Sequence, residues 1–383
     1  MEDISVSDIE ESHVEKVADE INDDYSTEDL YNISSYGADL SFRELISMYK
    51  EDELAKPELQ RNYVWDKVEA SRFIESLLLG LPVPSIFLAK SKGEKKLIVD
   101  GYQRIMTVYD YVEKGVFSKD GKDFKLANSK NINKKWRNKS FRELAEADQR
   151  RIRSTTIHAI IFEQKEPRES DSSMYQIFQR INTSGRTLLP QEIRNCVSQG
   201  PFNTLLIKLN AIPVWRKLYG LTSSDTRMRD MEFILRFFAL QPGNIPTDTA
   251  TISMKQHLDS FMEINKKIVP EVAAGMEKEF VSTMNFLYEN FGEDAFHNLS
   301  KKGDGSFTDK FHPTVFDALA VSTNIAKNRG IGDATKNKLL AERLKLLNDA
   351  QFGQFIRFRT TDVTHIHGRI GSALQYLYAM KYE

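Results

Sequence analysis

The feature that most constrains this chain is a strand, a glycine turn and a helix start packed into a few residues. Lys96–Val99 reads as a short strand and runs into Asp100-Gly101. Ile105, Val108 and Tyr109 take helical spacing immediately afterwards. A second short strand, Ser85–Ala89, precedes it, and Thr156–Phe162 is β-branched and apolar, a buried strand. Helical patterns lie between and around these strands. Ser41 and Glu44 form a capping box before Phe42, Leu45, Ile46 and Tyr49. Residues 67–79 place Val68, Phe73, Ile74, Leu77 and Leu78 on one side, and Gly80 stops that helix. Residues 171–181 and 190–198 read as two more helices around the turn at 182–186.

After about residue 200 the pattern becomes helical throughout: 202–209, 228–240, 254–267, 271–290, 313–328 and 334–349. The expected fold class is therefore α+β, a small mixed domain over 41–199 followed by an all-α domain over 200–383. Residues 1–40 form an acidic arm with 13 Asp and Glu against one Lys. Its first 35 residues read as weakly structured or partly helical. The whole chain has 53 Lys and Arg against 55 Asp and Glu. The body without the arm is thus net basic, by +10, which suits a nucleic-acid partner. The arm is expected to be a solvated tail, with docking on the basic body as the alternative.

No apolar run approaches the ~18 residues that a membrane span needs, and the acidic start does not read as a signal peptide. The single cysteine, Cys196, excludes an internal disulfide and a cysteine zinc site. A reducing, cytoplasmic setting is expected. His365 and His367 lack a third ligand nearby, and His312-Pro313 reads as a helix start.

Four constellations carry chemistry. At Asp100-Gly101-Tyr102-Gln103-Arg104, a helix N-terminus follows a glycine, a natural anion site. Arg104 can fork onto a phosphate, and Asp100 can hold a metal, orient water or cap the helix. Gln60-Arg61-Asn62-Tyr63-Val64-Trp65 adds Arg61 as a second phosphate ligand, with Tyr63 and Trp65 as faces for a base or for the core. The polar turn Asn182-Thr183-Ser184-Gly185-Arg186, followed by Gln191, Glu192, Arg194 and Asn195, is a third. Residues 119–142 hold nine Lys and Arg, among them Lys134, Lys135, Arg137 and Lys139, against two Asp. Phe124, Trp136 and Phe141 lie between them, a pattern that fits either a nucleic-acid surface or a solvated loop.

Taken in order, these motifs resemble the GmrSD-type N-terminal domain family of the ParB/sulfiredoxin-like superfamily. The resemblance runs through Arg61-x-Tyr63-x-Trp65, Ile74-Glu75-Ser76-Leu77, Leu81-Pro82-Val83-Pro84, Val99-Asp100-Gly101-x-Gln103-Arg104, Ile181-Asn182-Thr183-x-Gly185 and Gln191-Glu192-Ile193-Arg194. It covers residues ~40–200; Asp230-Met231-Glu232 and Leu235-Arg236-Phe237-Phe238 extend it more weakly. It implies a ParB-like fold and a role in anti-phage defence or restriction, with nucleotide hydrolysis coupled to DNA cleavage. It implies an NTP with Mg²⁺ or another divalent metal as cofactor. Asp100, Gln103 and Arg104 would be the catalytic group, with Asp100 at the metal. Gln60, Arg61, Gly101, Tyr102, Asn182 and Arg194 would hold the nucleotide. Tyr102 stands where the family has Gln. No HNH nuclease domain is evident in the sequence, so cleavage would fall to this domain or to a protein partner, and a homo-oligomer stays open. Two other readings remain: a non-catalytic DNA-binding adaptor with a structural or nucleotide-sensing pocket, and a metal-dependent nuclease built on Asp100 and Glu192.

Overall fold

The computed structural model describes residues 13–17, 32–55, 63, 65–90, 95–166, 189–300, 305–331 and 335–382. They fall into two compact units, one within 29–197 and one drawn from 1–28 and 198–383.

The first unit is built on a five-stranded mixed sheet: β1 (Asn32–Ser41), β2 (Leu54–Ala55), β3 (Ile86–Lys90), β4 (Lys96–Asp100) and β5 (Thr156–Glu166). Their spatial order is β1-β5-β3-β4-β2. β1 runs antiparallel to β5 and β3 antiparallel to β4, whereas β3–β5 and β4–β2 are parallel. Four helices of this unit matter here: α1 (Phe42–Lys50), α2 (Lys67–Leu79), α3 (Tyr102–Tyr109) and α4 (Glu146–Ser154). A fifth, α5 (Pro190–Val197), closes the unit's sequence.

Local chemistry explains these elements. Ser41 and Glu44 form the capping box of α1 as expected. Asp66 and Glu69 form a second one at α2. Gly80 ends α2 in the left-handed conformation, φ 74°. Ala70, Phe73, Ile74, Leu77 and Leu78 of α2 are buried and join Phe42, Leu45, Ile86, Leu88, Ile98, Ile105 and Ile157 in one core. Each large aliphatic or aromatic side chain buried there contributes on the order of 2 kcal/mol.

β1 corrects the expectation of weak structure through residue 35, since residues 32–41 are its strand. The segment lacks an apolar run. Its strand state comes from pairing with the more apolar β5, a contact between residues more than a hundred positions apart.

The second unit is mostly helical: α6 (Pro201–Asn210), α7 (Pro213–Tyr219), α8 (Arg229–Ala239), α9 (Met254–Asn265), α10 (Pro270–Phe291), α11 (Pro313–Arg329), α12 (Lys336–Asn348), α13 (Ala350–Arg357) and α14 (Val363–Tyr378). It is not all-α, because β6 (His297–Leu299) pairs with β7 (Phe307–Phe311). Residues 13–17 pack on this unit. Val14 bridges Phe311, and His13 meets the Tyr219 ring at 5.3 Å. That short piece of the acidic arm is therefore docked on the helical unit.

The aromatic core around Trp215, Phe233, Phe311 and Phe316 surrounds buried charge. Asp317 accepts from Arg236 at 3.0 and 2.5 Å and from Arg369 at 2.9 Å. Asp230 accepts from Asn210 at 2.9 Å and Arg216 at 2.7 Å. Asp230 and Arg236, singled out in the sequence, thus belong to buried ion networks inside the helical unit. No helix among the described residues is long and apolar enough to cross a membrane.

Candidate functional site

The site begins where β4 hands over to α3. Gly101 takes φ 99°, ψ 5°, a left-handed conformation open to glycine. A Cβ there would lie 2.2 Å from Ile86 Cγ2, so the backbone is pressed against β3. Only glycine meets both conditions. This junction sets Asp100 at the strand end and Arg104 one turn into the helix.

The Arg104 guanidinium is a brace. Its Nη2 donates to Asp100 Oδ2 at 2.7 Å. Its Nη1 donates to the carbonyls of Pro84 at 2.5 Å and Ser85 at 3.0 Å. The Arg104 side chain is 11% exposed and that of Asp100 32%. Pro84 and Ser85 lead directly into β3. One side chain therefore ties the entry of β3, the end of β4 and the first turn of α3. Asp100 Oδ1 carries no hydrogen bond from any described residue and stays available to a ligand.

A second set of bonds fastens α3 to the Tyr63–Trp65 segment. The Trp65 amide lies 3.5 Å from Gln103 Oε1. The Tyr63 hydroxyl meets Thr107 Oγ1 at 2.5 Å, and Thr107 Oγ1 donates to the Gln103 carbonyl at 2.7 Å. Thr107 is fully buried. It was not singled out in the sequence, where its only signal is a polar residue on an apolar helix face. Tyr63 and Trp65 are core groups, and their rings meet Phe117 and Phe73 at 5.1 and 5.5 Å. Burial pushes the Tyr63 phenol well up, opposed by the Thr107 hydrogen bond and aided by the Asp110 carboxylate.

Tyr102 is buried in the same core. Burial, with Asp110 nearby, pushes its phenol up to about 12. Its ring is therefore a packing element, where the sequence offered it as a hydrogen-bonding or stacking group for a ligand.

The remaining expected residues are placed differently. Gln60, Arg61 and Asn182 lie outside the described residues, as do the 182–186 turn and the helix expected over 171–181. Cys196 belongs to α5, and its side chain also lies outside them. Arg194 is fully buried and donates to Gln191 on its own helix at 3.1 Å. Glu192 is buried, and its Oε2 accepts from the Leu189 amide at 2.6 Å, a capping bond at the start of α5.

The 119–142 segment is a packed loop. Phe124, Trp136 and Phe141 are core residues, which removes them as exposed stacking faces. The loop is lashed to α2: the Ala127 amide donates to Ser71 and the Asn133 amide to Glu75. Lys134 and Lys135 are exposed. Lys135 pairs with Asp148 at 3.0 Å, and Arg137 is bonded to the carbonyls of Ile132 and Lys130. Lys139 is half-buried, with its carbonyl accepting from the Tyr111 hydroxyl at 3.0 Å.

Among the described residues, no group of three or more His, Cys, Asp or Glu is placed to hold a metal ion. A nucleotide-borne Mg²⁺ asks for less, since one carboxylate beside the phosphates is enough, and Asp100 Oδ1 meets that demand. His365 and His367 are occupied locally, bonding the Phe358 carbonyl and the Tyr382 hydroxyl. Another cavity, of about 770 Å³, lies in the helical unit, lined by Phe238, Gln256, His257, Ser260 and Phe261 among others. None of the expected site residues lines it.

Residues 42–198 match the family model described as the GmrSD restriction endonuclease, N-terminal domain. No curated protein and no solved structure matches the chain.

Proposed function

We propose, on the premise that residues 42–198 are a GmrSD-type N-terminal domain, that this restriction- and defence-type protein binds a nucleoside triphosphate at the β4–α3 junction and interacts with DNA. The observation that carries the reading is the Asp100–Arg104 brace across a glycine turn with no room for a side chain. It holds one carboxylate oxygen out at a helix N-terminus, where amides and dipole favour phosphate. Asp100 would hold the nucleotide's divalent ion through Oδ1, and that ion would neutralise phosphate charge. Arg104 positions Asp100 and the β3 entry. Gln103 takes the Thr107 hydroxyl on its backbone carbonyl and the Trp65 amide on Oε1, and its side-chain NH2 would orient a phosphate oxygen or a water. Gln60, Arg61 and Asn182 complete the proposed nucleotide set, with Arg194 acting from the buried last turn of α5.

One observation favours a second reading. Arg104 is engaged by Asp100, Pro84 and Ser85, and Tyr102 is buried. That arrangement suits a pocket that senses a nucleotide without hydrolysing it, with cleavage supplied by a partner. Phosphate release from ATP, GTP and CTP with Mg²⁺, with and without duplex DNA, separates the two. DNA-stimulated turnover supports hydrolysis. Binding without turnover supports sensing. Neither binding nor turnover would defeat both.

A further inference from the structure

A pair of arginines in the first unit has no role in anything described above. Arg43 on α1 and Arg153 at the end of α4 line one cavity of about 190 Å³, together with Ile46, Val112 and Glu113. Neither guanidinium has a carboxylate or hydrogen-bond partner among the described residues. Glu113, the acid of the lining, is engaged by Lys50 at 3.1 Å. The Arg153 guanidinium stacks 4.9 Å from the centre of the Phe141 ring. That cation–π contact consumes none of its N–H donors, which remain for an acceptor. Two arginines and one lysine against one glutamate leave the site an excess of two positive charges.

The contrast with the basic loop decides where a polyanion would be held. Lys135 is spent on Asp148 and on the Trp136 ring, and Arg137 on its own loop's carbonyls. Arg43 and Arg153 are spent on nothing comparable. Paired guanidinium forks over a small cavity match a phosphate in shape and charge. The side chains of Ile46 and Val112 in the lining are apolar, so they offer no hydrogen bonds to a base or sugar.

We infer that Arg43 and Arg153 form a phosphodiester clamp that grips the backbone of duplex DNA, outside the Asp100–Arg104 site. The inference rests on the DNA-binding part of the proposed function and names its surface.

The test is fluorescence anisotropy of a labelled duplex across a salt series from about 50 to about 200 mM. It compares wild type, Arg43→Gln/Arg153→Gln, Arg43→Lys/Arg153→Lys and Lys134→Gln/Lys135→Gln, with Mg-nucleotide binding and a melting curve on each. The glutamine pair should bind at least about tenfold more weakly, and the log–log salt slope should shrink by about one per arginine. The lysine pair should keep the slope and lose part of the affinity. The loop variant should lose less than the glutamine pair. Affinity and slope unchanged in the glutamine pair, with wild type binding DNA, would overturn the clamp and leave the DNA reading intact. A wild type that binds nucleotide but no duplex would overturn the clamp and the DNA reading together, and leave the nucleotide site standing.

Discussion

Arg104 Nη2 meets Asp100 Oδ2 at 2.7 Å across a single helical turn, while the same guanidinium's Nη1 holds the carbonyls of Pro84 and Ser85. The pair is therefore a joint between two strands and a helix as well as a charged site. Arg104→Ala should lower stability by about 2–3 kcal/mol, because two backbone acceptors and a half-buried carboxylate lose a charged donor. Asp100→Asn keeps the carbonyl bonds and should cost less than about 1 kcal/mol, since its carboxylate is partly solvated. Chemical denaturation of both variants checks the ranking; equal losses would contradict the brace.

Gly101 faces two separate demands, and a double-mutant cycle separates them. Gly101→Ala sets a methyl 2.2 Å from Ile86 Cγ2 in a left-handed backbone, and should cost on the order of 2–4 kcal/mol. Adding Ile86→Ala removes the Cγ2 contact but keeps a Cβ at 2.9 Å, so it relieves the clash in part and the backbone strain not at all. The pair should therefore be less destabilised than the sum of the singles. Strict additivity of the unfolding free energies would show that the contact is not what selects glycine.

The Tyr63–Thr107 bond should be worth about 1–2 kcal/mol, because both groups are buried and loss of the Thr107 hydroxyl strands the Tyr63 phenol, whereas loss of the phenol leaves Thr107 its bond to the Gln103 carbonyl. Thr107→Val should show most of that loss and Tyr63→Phe less, with the double variant little worse than Thr107→Val alone. If the segment also positions Gln103, both singles should weaken nucleotide binding.

Two pH responses follow from burial. Tyr102 is pushed up to about 12. Above about pH 10 the unfolded chain releases that proton and the native one does not, so stability falls as pH rises from about 10 toward about 12. His312 is pushed down to about 4 by burial and by Arg357, with Asp317 opposing and Arg369 assisting. Its Nε2 lies 3.7 Å from the Glu15 carboxylate, which also opposes the shift. Burial dominates, because the histidine is nearly inaccessible and Glu15 is exposed at 41%. The unfolded chain binds a proton near pH 6.5 and the native one does not, so stability falls as pH drops from about 6.5 toward about 4. His312→Gln should flatten the acid limb of an unfolding-midpoint-versus-pH curve, and a curve parallel to wild type would contradict the assignment.

Asp317→Asn tests the helical unit. It leaves Arg236 and Arg369 buried with no full counter-charge and should cost about 3–5 kcal/mol, read from the melting transition. A loss below about 1 kcal/mol would mean the arginines reach water or another anion.

Much of the first unit was legible in the sequence because its signals are local. The capping box at Ser41 and Glu44, the one-sided helix ending at Gly80, and the strand–turn–helix at Lys96–Tyr109 each depend on neighbours a few residues away. β1 was illegible because its partner is β5, far along the chain. Phe124, Trp136 and Phe141 misled for a related reason. An aromatic between lysines looks like a stacking surface until the fold shows which side of the loop it takes. Helices α7, α13, α14 and α4 were missed. The first two are single short elements of 7 and 8 residues, too brief for a periodic pattern to declare itself. The motif at 100–104 was found, but Arg104's duties to Pro84 and Ser85 are backbone contacts that no residue pattern encodes. Arg43 and Arg153 stand 110 positions apart, and only folding sets them around one cavity.

The central claim is that the β4–α3 junction binds a nucleotide through Asp100. Titrating wild type and Asp100→Asn with ATP, GTP and CTP in the presence of Mg²⁺, by calorimetry, tests it most directly. The account predicts saturable binding of at least one nucleotide by wild type, weakened at least about tenfold in Asp100→Asn at nearly unchanged melting temperature. Tenfold corresponds to about 1.4 kcal/mol. Equal affinity in the two proteins, or no binding by wild type, would contradict it.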